Sequence, residues 1–311
     1  MIWLLLALLS SATFAVVGVI DKRLNDKYLP SLSSYYVWIA ISVFIYGVIF
    51  LVMGGIPRGV DARFPLMAGA SGLAWGGAML MFFKGYQMQE VSRASAVVFT
   101  FPVFVAIMAA LFLDETLVPV QWVAIGLVVS GAILVSLNGG TGSKSAKLAQ
   151  AFPILVGASL LTAIGHITSK FAVEELSVAT VSSFRFFGMA AVLALSWRPA
   201  TFGHLRQALN SREALVLLLV GEMVLVPAAV LHMITATKLG PVSLVATVTG
   251  TRPIFILLYS TLLSLPTLRI LSESVDPRSL TVKLVSVMMI IGGIVSLGLF
   301  MEGRLACVCP Y

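Results

Sequence analysis

The sequence is dominated by apolar runs, each about as long as a helix that crosses a lipid bilayer. Ten runs follow one another along the chain, at residues 1–20, 32–53, 64–83, 94–113, 119–137, 152–172, 178–197, 214–236, 242–263 and 284–300. A helix of about 20 apolar residues spans the hydrocarbon core. The runs are continuous rather than alternating, which favours helices over strands, and a helix satisfies its own backbone groups in lipid. The predicted fold is therefore an all-α integral membrane protein with ten transmembrane helices.

The composition excludes several other classes of protein. Of the 311 residues, 59% are hydrophobic and only 11% are charged, whereas soluble domains carry about 25% charged residues. An ordinary cytosolic enzyme, a disordered chain and a fibrous chain are therefore excluded. The basic residues stand singly, which argues against a nucleic-acid partner. The two cysteines lie within the last five residues, so neither a disulfide framework nor a cysteine-based zinc site is expected.

Landmark residues recur in the two halves of the chain in the same order. Residues 11–22 parallel residues 159–170, and the Val91, Pro102 and Phe104 landmarks recur 151 residues later. Shared composition could make any two apolar runs look alike, but it does not explain the preserved order. We expect a first five-helix repeat at 1–137, a linker at 138–151, a second repeat at 152–301 and a tail at 302–311. An odd number of spans inverts the second copy, which is an architecture of alternating access around a central cavity.

The junction between the fourth and fifth runs carries a family resemblance. It contains a proline-aromatic step, an Asp-Glu-x-Leu corner, a glutamine and a glycine-bearing helix: Phe101-Pro102-Val103-Phe104, Asp114-Glu115-Thr116-Leu117, Gln121-Trp122 and Gly126 to Gly131. In this order the residues resemble the drug/metabolite transporter superfamily, specifically its EamA-type members. The resemblance implies two inverted five-helix repeats and transport of small molecules. The second half departs from the pattern, because Pro266 stands where the corner would have its acidic residue. The Thr251-Arg252 step looks like that of the organic-phosphate and nucleotide-sugar branch.

Away from the ends of the runs, three charged residues lie within the apolar runs of the second half, namely Arg185, Glu222 and Arg252. A charge at the bilayer centre costs about 2.5–3.5 kcal/mol on insertion scales, so each should face a cavity or a partner. Arg252 is a candidate anchor for an anionic group of a solute, or an ion-pair partner of Glu222. Glu222 is a candidate proton-binding carboxylate, or a permanent counter-ion. Arg185 either lines the cavity or extends to an interface.

Other polar and aromatic side chains in the runs are candidate substrate ligands. They are Thr247, Thr249, Thr251, Lys22, Lys170, His166, Trp75 and Tyr86, with His232 as a second candidate for the coupled proton. Each also has a structural interpretation: helix packing for the aromatics, hydrogen bonds between helices for the histidines, and hydrated helix ends for the lysines. Gly72-x-x-x-Gly76 predicts close approach of two helices. The acidic pair Asp114-Glu115 is expected to cap the fifth helix.

The sequence predicts a secondary-active transporter, an exporter or exchanger, rather than an enzyme. A phosphate-binding Gly-x-x-x-x-Gly-Lys-Ser/Thr loop is missing, so ATP hydrolysis is not expected. Because Arg185 and Arg252 outnumber Glu222, the solute should be anionic or zwitterionic, such as an amino acid, an organic acid or a phosphorylated metabolite. The alternative is a proton-coupled exporter of cationic or neutral amphiphiles that uses Glu222. A remote alternative is an intramembrane serine protease with Ser71 as its nucleophile.

The expected partners, membrane and oligomeric state complete the prediction from the sequence. The lipid bilayer and a small-molecule substrate are the expected partners, and no cofactor or metal is expected. A plasma membrane or bacterial inner membrane is favoured because no organelle signal is visible. The protein is expected to be a monomer or a homodimer.

Overall fold

The computed structural model describes residues 2–28, 32–55, 59–88, 97–137, 145–199, 201–263, 281, 285–293 and 296. Every element within these residues is helical. The elements are α1 (Ile2–Lys27), α2 (Leu32–Gly54), α3 (Arg63–Met88), α4 (Phe101–Phe112), α5 (Pro119–Leu137), α6 (Ser145–Glu175), α7 (Val178–Ala194), α8 (Thr201–Leu209), α9 (Arg212–Leu218), a π-helical turn (Leu219–Leu225), α10 (Val226–Leu239), α11 (Val242–Thr249) and α12 (Arg252–Leu263).

Most of these helices are apolar enough to lie in a membrane. Five segments are long enough to cross it, and shorter apolar helices accompany them at Phe101–Phe112, Pro119–Gly131, Val178–Ala194 and Val242–Ile256. The prediction of an all-α, multi-pass membrane protein is confirmed. The tenth run is described only at 285–293 and 296, where it is helical, so the ten-helix inverted repeat stays a prediction. Helix α6 begins inside the segment 138–151 that was expected to be a linker.

Helices α3 and α7 approach each other through glycines. A Cβ at Gly72 would overlap the carbonyl oxygen of Arg185, and one at Gly76 would press against Val192. From the other side, a Cβ at Gly188 would overlap the carbonyl oxygen of Gly69. Small residues let membrane helices come into backbone contact. The packing role predicted for the glycine motif is therefore confirmed.

The first helix of each half packs against helices of the other half. Helix α1 lies against α10, α11 and α12, while α6 lies against α3 and α4. Ser10 Oγ donates to the carbonyl oxygen of Ala229 at 2.8 Å and so ties α1 to α10. The two halves are therefore interleaved, and the interior between them is bordered by helices of both.

The ninth run is interrupted by a turn at Gly250 and Thr251, which separates α11 from α12. The Thr251 backbone N–H donates to the carbonyl oxygen of Val248 at 3.1 Å, and its hydroxyl donates to the same oxygen at 2.7 Å. Ser11 Oγ of α1 lies 3.4 Å from Thr251 Oγ1. The helix of the ninth run is therefore broken directly in front of Arg252.

A matching break precedes α4, although the sequence had not suggested it. The Thr100 backbone N–H donates to the carbonyl oxygen of Val97 at 3.2 Å, and its hydroxyl donates to the same oxygen at 2.7 Å. Ser159 Oγ of α6 lies 3.3 Å from Thr100 Oγ1. Thr100 precedes Thr251 by 151 residues, which is the offset of the landmarks described above.

The acidic corner after α4 stabilises a different helix from the one predicted. Glu115 Oε1 accepts from the backbone N–H of Val242 at 2.6 Å, and Oε2 accepts from the backbone N–H of Ser243 at 3.2 Å. Glu115 thus caps α11, where its negative charge meets the positive end of the helix dipole. Gln121 accepts from the Val118 N–H at the start of α5. The prediction that Glu115 caps the fifth run is wrong, because the corner folds back onto a helix that is distant in sequence.

Candidate functional site

Two carboxyl groups meet inside the bundle, where α1, α2 and the π-helical turn converge. Asp21 and Glu222, here called the acid pair, lie within hydrogen-bonding contact of each other. The Tyr35 hydroxyl donates to Glu222 Oε1 at 3.1 Å and also reaches Asp21. Glu222 is only 2% exposed and Tyr35 is fully buried. A hydrogen bond between two carboxyl groups needs a proton on one of them, since an ionised carboxylate only accepts.

The π-helical turn sets the position of Glu222. Pro227 has no backbone N–H, so it cannot donate to the carbonyl oxygen of Met223 as an α-helix requires. The Tyr46 hydroxyl donates to that oxygen instead. Gly221 allows Ile20 of α1 to come close to the turn. Single π-helical turns within α-helices are frequent at functional sites.

Arg252 is the first residue of α12, directly after the break. Its guanidinium carbon lies 4.4 Å from the centre of the Phe14 ring. It interacts electrostatically with Asp21 and also with His166. Arg252 is therefore close enough to Asp21 of α1 and to His166 of α6 for its charge to act on both.

Arg185 is buried between α3, α6 and α7 rather than extended to an interface. Its Nη1 donates to Ser71 Oγ at 2.8 Å and to Ser169 Oγ at 2.9 Å, and these hydroxyl oxygens are 2.6 Å apart. Ser71 also donates to the carbonyl oxygen of Gly165 at 2.8 Å. Arg185 is 2% exposed and both serines are no more than 1% exposed. We call Arg185, Ser71 and Ser169 the arginine–serine cluster.

Aromatic rings border the arginine–serine cluster. The Arg185 guanidinium carbon lies 4.7 Å from the centre of the Trp75 ring. His166 is 5.6 Å from Trp75 and stacks on Phe101 at 5.5 Å with an interplanar angle of 2°. Trp75 Nε1 and His166 Nε2 are buried and have no hydrogen-bond partner within the described part of the chain. Two buried nitrogen atoms beside a buried guanidinium thus make no hydrogen bond to the described residues.

The remaining candidates on α10, on α11 and in the break after α11 differ in their hydrogen bonds. The hydroxyls of Thr247, Thr249 and Thr251 are buried, and each donates to a backbone carbonyl three or four residues earlier. Their donor capacity is therefore already used in this conformation. His232 is half-buried on α10, and its Nδ1 has no hydrogen-bond partner among the residues that the structure describes.

Lys170 connects α6 to the end of α10. Lys170 Nζ donates to the carbonyl oxygens of Thr237 and Gly240 at 3.2 and 3.3 Å. It therefore neutralises the negative end of α10. The side chains of Lys22 and Tyr86 lie outside the described residues.

Ser71 lacks the surroundings of a protease nucleophile. A nucleophilic serine is activated by a base within hydrogen-bond reach. Ser71 instead accepts from Arg185 and contacts Ser169. Neither His166 nor His232 hydrogen bonds to it in the parts of the chain that are described. The geometry gives no support to the protease alternative.

Sequence reasoning missed Asp21, which follows the first apolar run directly. Helix α1 continues to Lys27 and carries Asp21 into the interior beside Glu222. A signal was available, since Asp21 stands opposite Ser169 when residues 11–22 are laid on 159–170. With Asp21 included, the interior acids match Arg185 and Arg252 in number, which removes the argument for a purely anionic solute.

Comparison with known proteins supports the predicted resemblance. Residues 1–137 match the EamA-like transporter family. The chain is 27% identical over 140 residues to a protein from a Sinorhizobium species named an uncharacterized transporter in the cobO 3′ region, covering 43% of this chain and 96% of that protein. A protein of known crystal structure superposes with a TM-score of 0.68 at 17% identity, covering 97% of both chains. The resemblance to EamA-type transporters is thus confirmed for residues 1–137, and a known fold extends over the whole chain.

Proposed function

We propose that this multi-pass membrane protein, whose first 137 residues match the EamA-like transporter family, is a proton-coupled secondary transporter. Its proposed cargo is a small zwitterionic or anionic organic solute, carried by alternating access. The observation that carries the proposal is the acid pair, because Asp21 and Glu222 touch each other within the bundle beside Arg252. A plasma membrane or bacterial inner membrane is the proposed location.

The acid pair is the proposed proton-binding site. Two carboxylates in contact repel each other, and burial weakens the screening of that repulsion by water. A bound proton removes the repulsion, and so does the cationic group of a solute. Proton and cationic group therefore compete for Asp21 and Glu222, which couples inward movement of one to outward movement of the other.

Arg252 is the proposed link between the proton and the solute. It interacts with Asp21 on one side and with His166 on the other. When the acid pair is protonated, less negative charge holds Arg252 near Asp21. Its guanidinium is then available to an anionic group of the solute. A solute with both charges suits an interior in which the described residues include the acids Asp21 and Glu222 and the arginines Arg185 and Arg252.

Alternating access requires parts that can move against each other. The proposed parts are the two five-helix halves, and the hydrogen bonds at Thr100 and Thr251 support their equivalence. Each threonine bonds twice to the carbonyl oxygen three residues earlier, and each lies next to a serine on the first helix of the other half. Breaks of this kind allow one end of a helix to tilt without moving the other.

One observation favours a second candidate function, the export of cationic or neutral amphiphiles. The acid pair adjoins an aromatic group, because the Phe83 ring packs edge-on against Tyr35 at 5.9 Å and against Tyr36 at 5.7 Å. Aromatic rings beside carboxylates suit a lipophilic cation. The two candidates differ in whether the solute must also carry a negative charge.

The test is proton movement in vesicles that contain the purified protein and an entrapped pH-sensitive dye. A pH gradient is imposed across the vesicle membrane. Glycine, succinate, glucose 6-phosphate or tetraphenylphosphonium is then added, each in a separate experiment. We expect a zwitterion or an anion to dissipate the gradient in the wild type but not in Asp21→Asn or Glu222→Gln. Asp61→Asn is the matched control, because Asp61 is an exposed carboxylate paired with Arg63.

The outcomes separate the candidates. Dissipation by tetraphenylphosphonium alone would replace the first candidate by the second. Full solute-driven dissipation in Glu222→Gln would show that the acid pair does not carry the proton, and the proposal would fail.

A further inference from the structure

We propose that the arginine–serine cluster is a binding subsite for the carboxylate group of the transported solute. The proposal rests on the proposed function, and it names the chemical group that the carrier recognises. Arg185, Trp75 and His166 would contact the carboxylate, while Ser71 and Ser169 would position the arginine.

The first argument is the unused edge of the guanidinium. An arginine has five N–H donors in a fixed plane. Both hydrogen bonds that Arg185 makes within the described residues come from Nη1. Nε and Nη2 form the neighbouring edge, which offers parallel donors spaced to match the two oxygens of a carboxylate.

The second argument is the missing counter-ion. The ion pairs found in the described ranges involve Arg23, Lys27 and Arg63, and none of them includes Arg185. Arg185 is nevertheless buried. A buried cation without a partner is strongly unfavourable. An anionic ligand would supply the negative charge that the described residues do not place beside Arg185.

The third argument is the pair of ring nitrogens beside the same guanidinium. Trp75 Nε1 and His166 Nε2 have no hydrogen-bond partner in the described part of the protein. His166 is 1% exposed, so bulk water does not compensate for the missing bond. The indole N–H can only donate, which is suited to an acceptor such as a carboxylate oxygen.

The serine hydroxyls explain why Arg185 is held in place. Ser71 and Ser169 occupy both Nη1 hydrogens, and Ser71 is fixed in turn by the carbonyl oxygen of Gly165. The Trp75 ring covers the guanidinium at 4.7 Å. The open edge is therefore already oriented before a ligand arrives, which reduces the entropy lost on binding.

The subsite is also connected to the acid pair. His166 interacts electrostatically with both Arg185 and Arg252, and Arg252 interacts with Asp21. A carboxylate bound at Arg185 would therefore lie in the charged neighbourhood that Arg185 and Arg252 share with His166.

The experiment measures the binding of sodium acetate to the detergent-purified full chain by calorimetry. Sodium methanesulfonate is replaced stepwise by acetate so that the ionic strength stays constant. Sodium chloride and acetamide are titrated in parallel, the first as a spherical anion and the second as a neutral analogue of the same shape. We expect acetate to bind at least about tenfold more tightly than either, because chloride cannot match two parallel N–H donors with two oxygens and acetamide carries no negative charge.

Variants identify the residue that binds. Arg185→Lys keeps the charge but removes the planar edge, and it should weaken acetate binding at least about tenfold. Trp75→Phe keeps an aromatic ring beside the guanidinium but removes the indole N–H, so it should weaken binding several-fold. Arg63→Lys is the matched control at an exposed arginine. If Arg185→Lys does not fold, Trp75→Phe decides the question.

The results that would contradict the carboxylate subsite differ from those that would contradict the proposed function. Equal affinities for acetate and chloride would make the cluster an inorganic-anion site. Unchanged acetate binding in Trp75→Phe would remove the subsite as described. Acetate binding through Arg185 without solute-driven proton movement would refute the proposed function alone. Proton-coupled transport without acetate binding would refute only this subsite.

Discussion

The breaks before Phe101 and before Arg252 have the same backbone structure but lead to different chemistry. At each break a threonine bonds twice to the carbonyl oxygen three residues earlier and lies next to a serine of another helix. After the first break Phe101 stacks on His166, whereas after the second Arg252 lies over Phe14. These two positions, 151 residues apart, thus share their hydrogen bonds and differ in their charge.

The polar clusters differ in the same way. Ser71 precedes Glu222 by 151 residues, and Asp21 precedes Ser169 by 148, which are the offsets of the repeated landmarks. In one cluster two serines surround an arginine, and in the other two acids surround a tyrosine. Under the proposed repeat, the serines of the arginine–serine cluster and the carboxyl groups of the acid pair occupy equivalent positions, so the two clusters carry opposite charges. Four predictions test how far that equivalence extends.

The largest effect is expected from glycines beside the two clusters. Gly72→Ala should destabilise the protein by about 3 kcal/mol, because the new methyl group would overlap the backbone of Arg185. Gly221→Ala should change stability by less than about 1 kcal/mol, since its methyl group meets only the Ile20 side chain. Gly69→Ala, in open space, is the control. Denaturant unfolding in detergent measures all three, and equal losses at Gly72 and Gly69 would contradict the close α3–α7 contact.

The next effect concerns the π-helical turn, which has no counterpart among the described residues of α3. Tyr46→Phe should cost about 2 kcal/mol, because the partly buried carbonyl oxygen of Met223 loses its donor. In a Pro227→Ala background the cost should fall, since an alanine at this position restores a backbone N–H for that carbonyl. The double-mutant cycle measures this coupling by unfolding. A coupling energy of zero would mean that Tyr46 does not compensate for Pro227.

A smaller effect is expected at the two breaks. Thr100→Val and Thr251→Val should each cost about 1 kcal/mol, because each loses the hydroxyl bond to its own helix. The losses should be similar, since the acceptor distances are both 2.7 Å. Unfolding of both variants, with Thr13→Val as a control at an exposed site, checks this. A loss of stability in only one of the two variants would contradict the structural equivalence of the breaks.

The smallest effect is expected at the end of α1. Glu213 pairs with Arg23 at 2.5 Å and with Lys27 at 3.1 Å, and all three side chains are well exposed. Glu213→Gln should therefore lower the melting temperature slightly at low salt and not at all in about 0.5 M salt. Lys170→Met should show no such salt dependence, because Lys170 bonds to buried carbonyl groups at the end of α10. Equal salt dependence would contradict this difference.

The helices and their glycine contact could be predicted because they depend on local pattern. A run of about 20 apolar residues fixes a membrane helix, and Gly72 with Gly76 marks where a neighbour can approach. The break before Arg252 could also be predicted from the sequence, since Gly250 and Pro253 lie beside it.

The long-range contacts could not be predicted in the same way. Whether Asp21 faces water or the interior depends on how far α1 extends and on what packs against it. Glu115 was assigned to the adjacent helix, whereas its partners are 127 and 128 residues away. Nothing in the spacing of Thr247, Thr249 and Thr251 showed that their hydroxyls donate to backbone carbonyls three or four residues earlier. Pro227 was a usable signal, since a proline five residues after Glu222 disturbs the helix that carries it.

The π-helical turn amounts to an extra residue inserted into an otherwise α-helical segment. Each residue of an α-helix turns the chain by about 100°. Deleting one residue between Leu219 and Leu225 would remove the insertion and rotate Glu222 relative to His232 by that angle. The segment would remain long and apolar enough to cross the membrane. A shortened chain could therefore insert normally and still lose its acid pair.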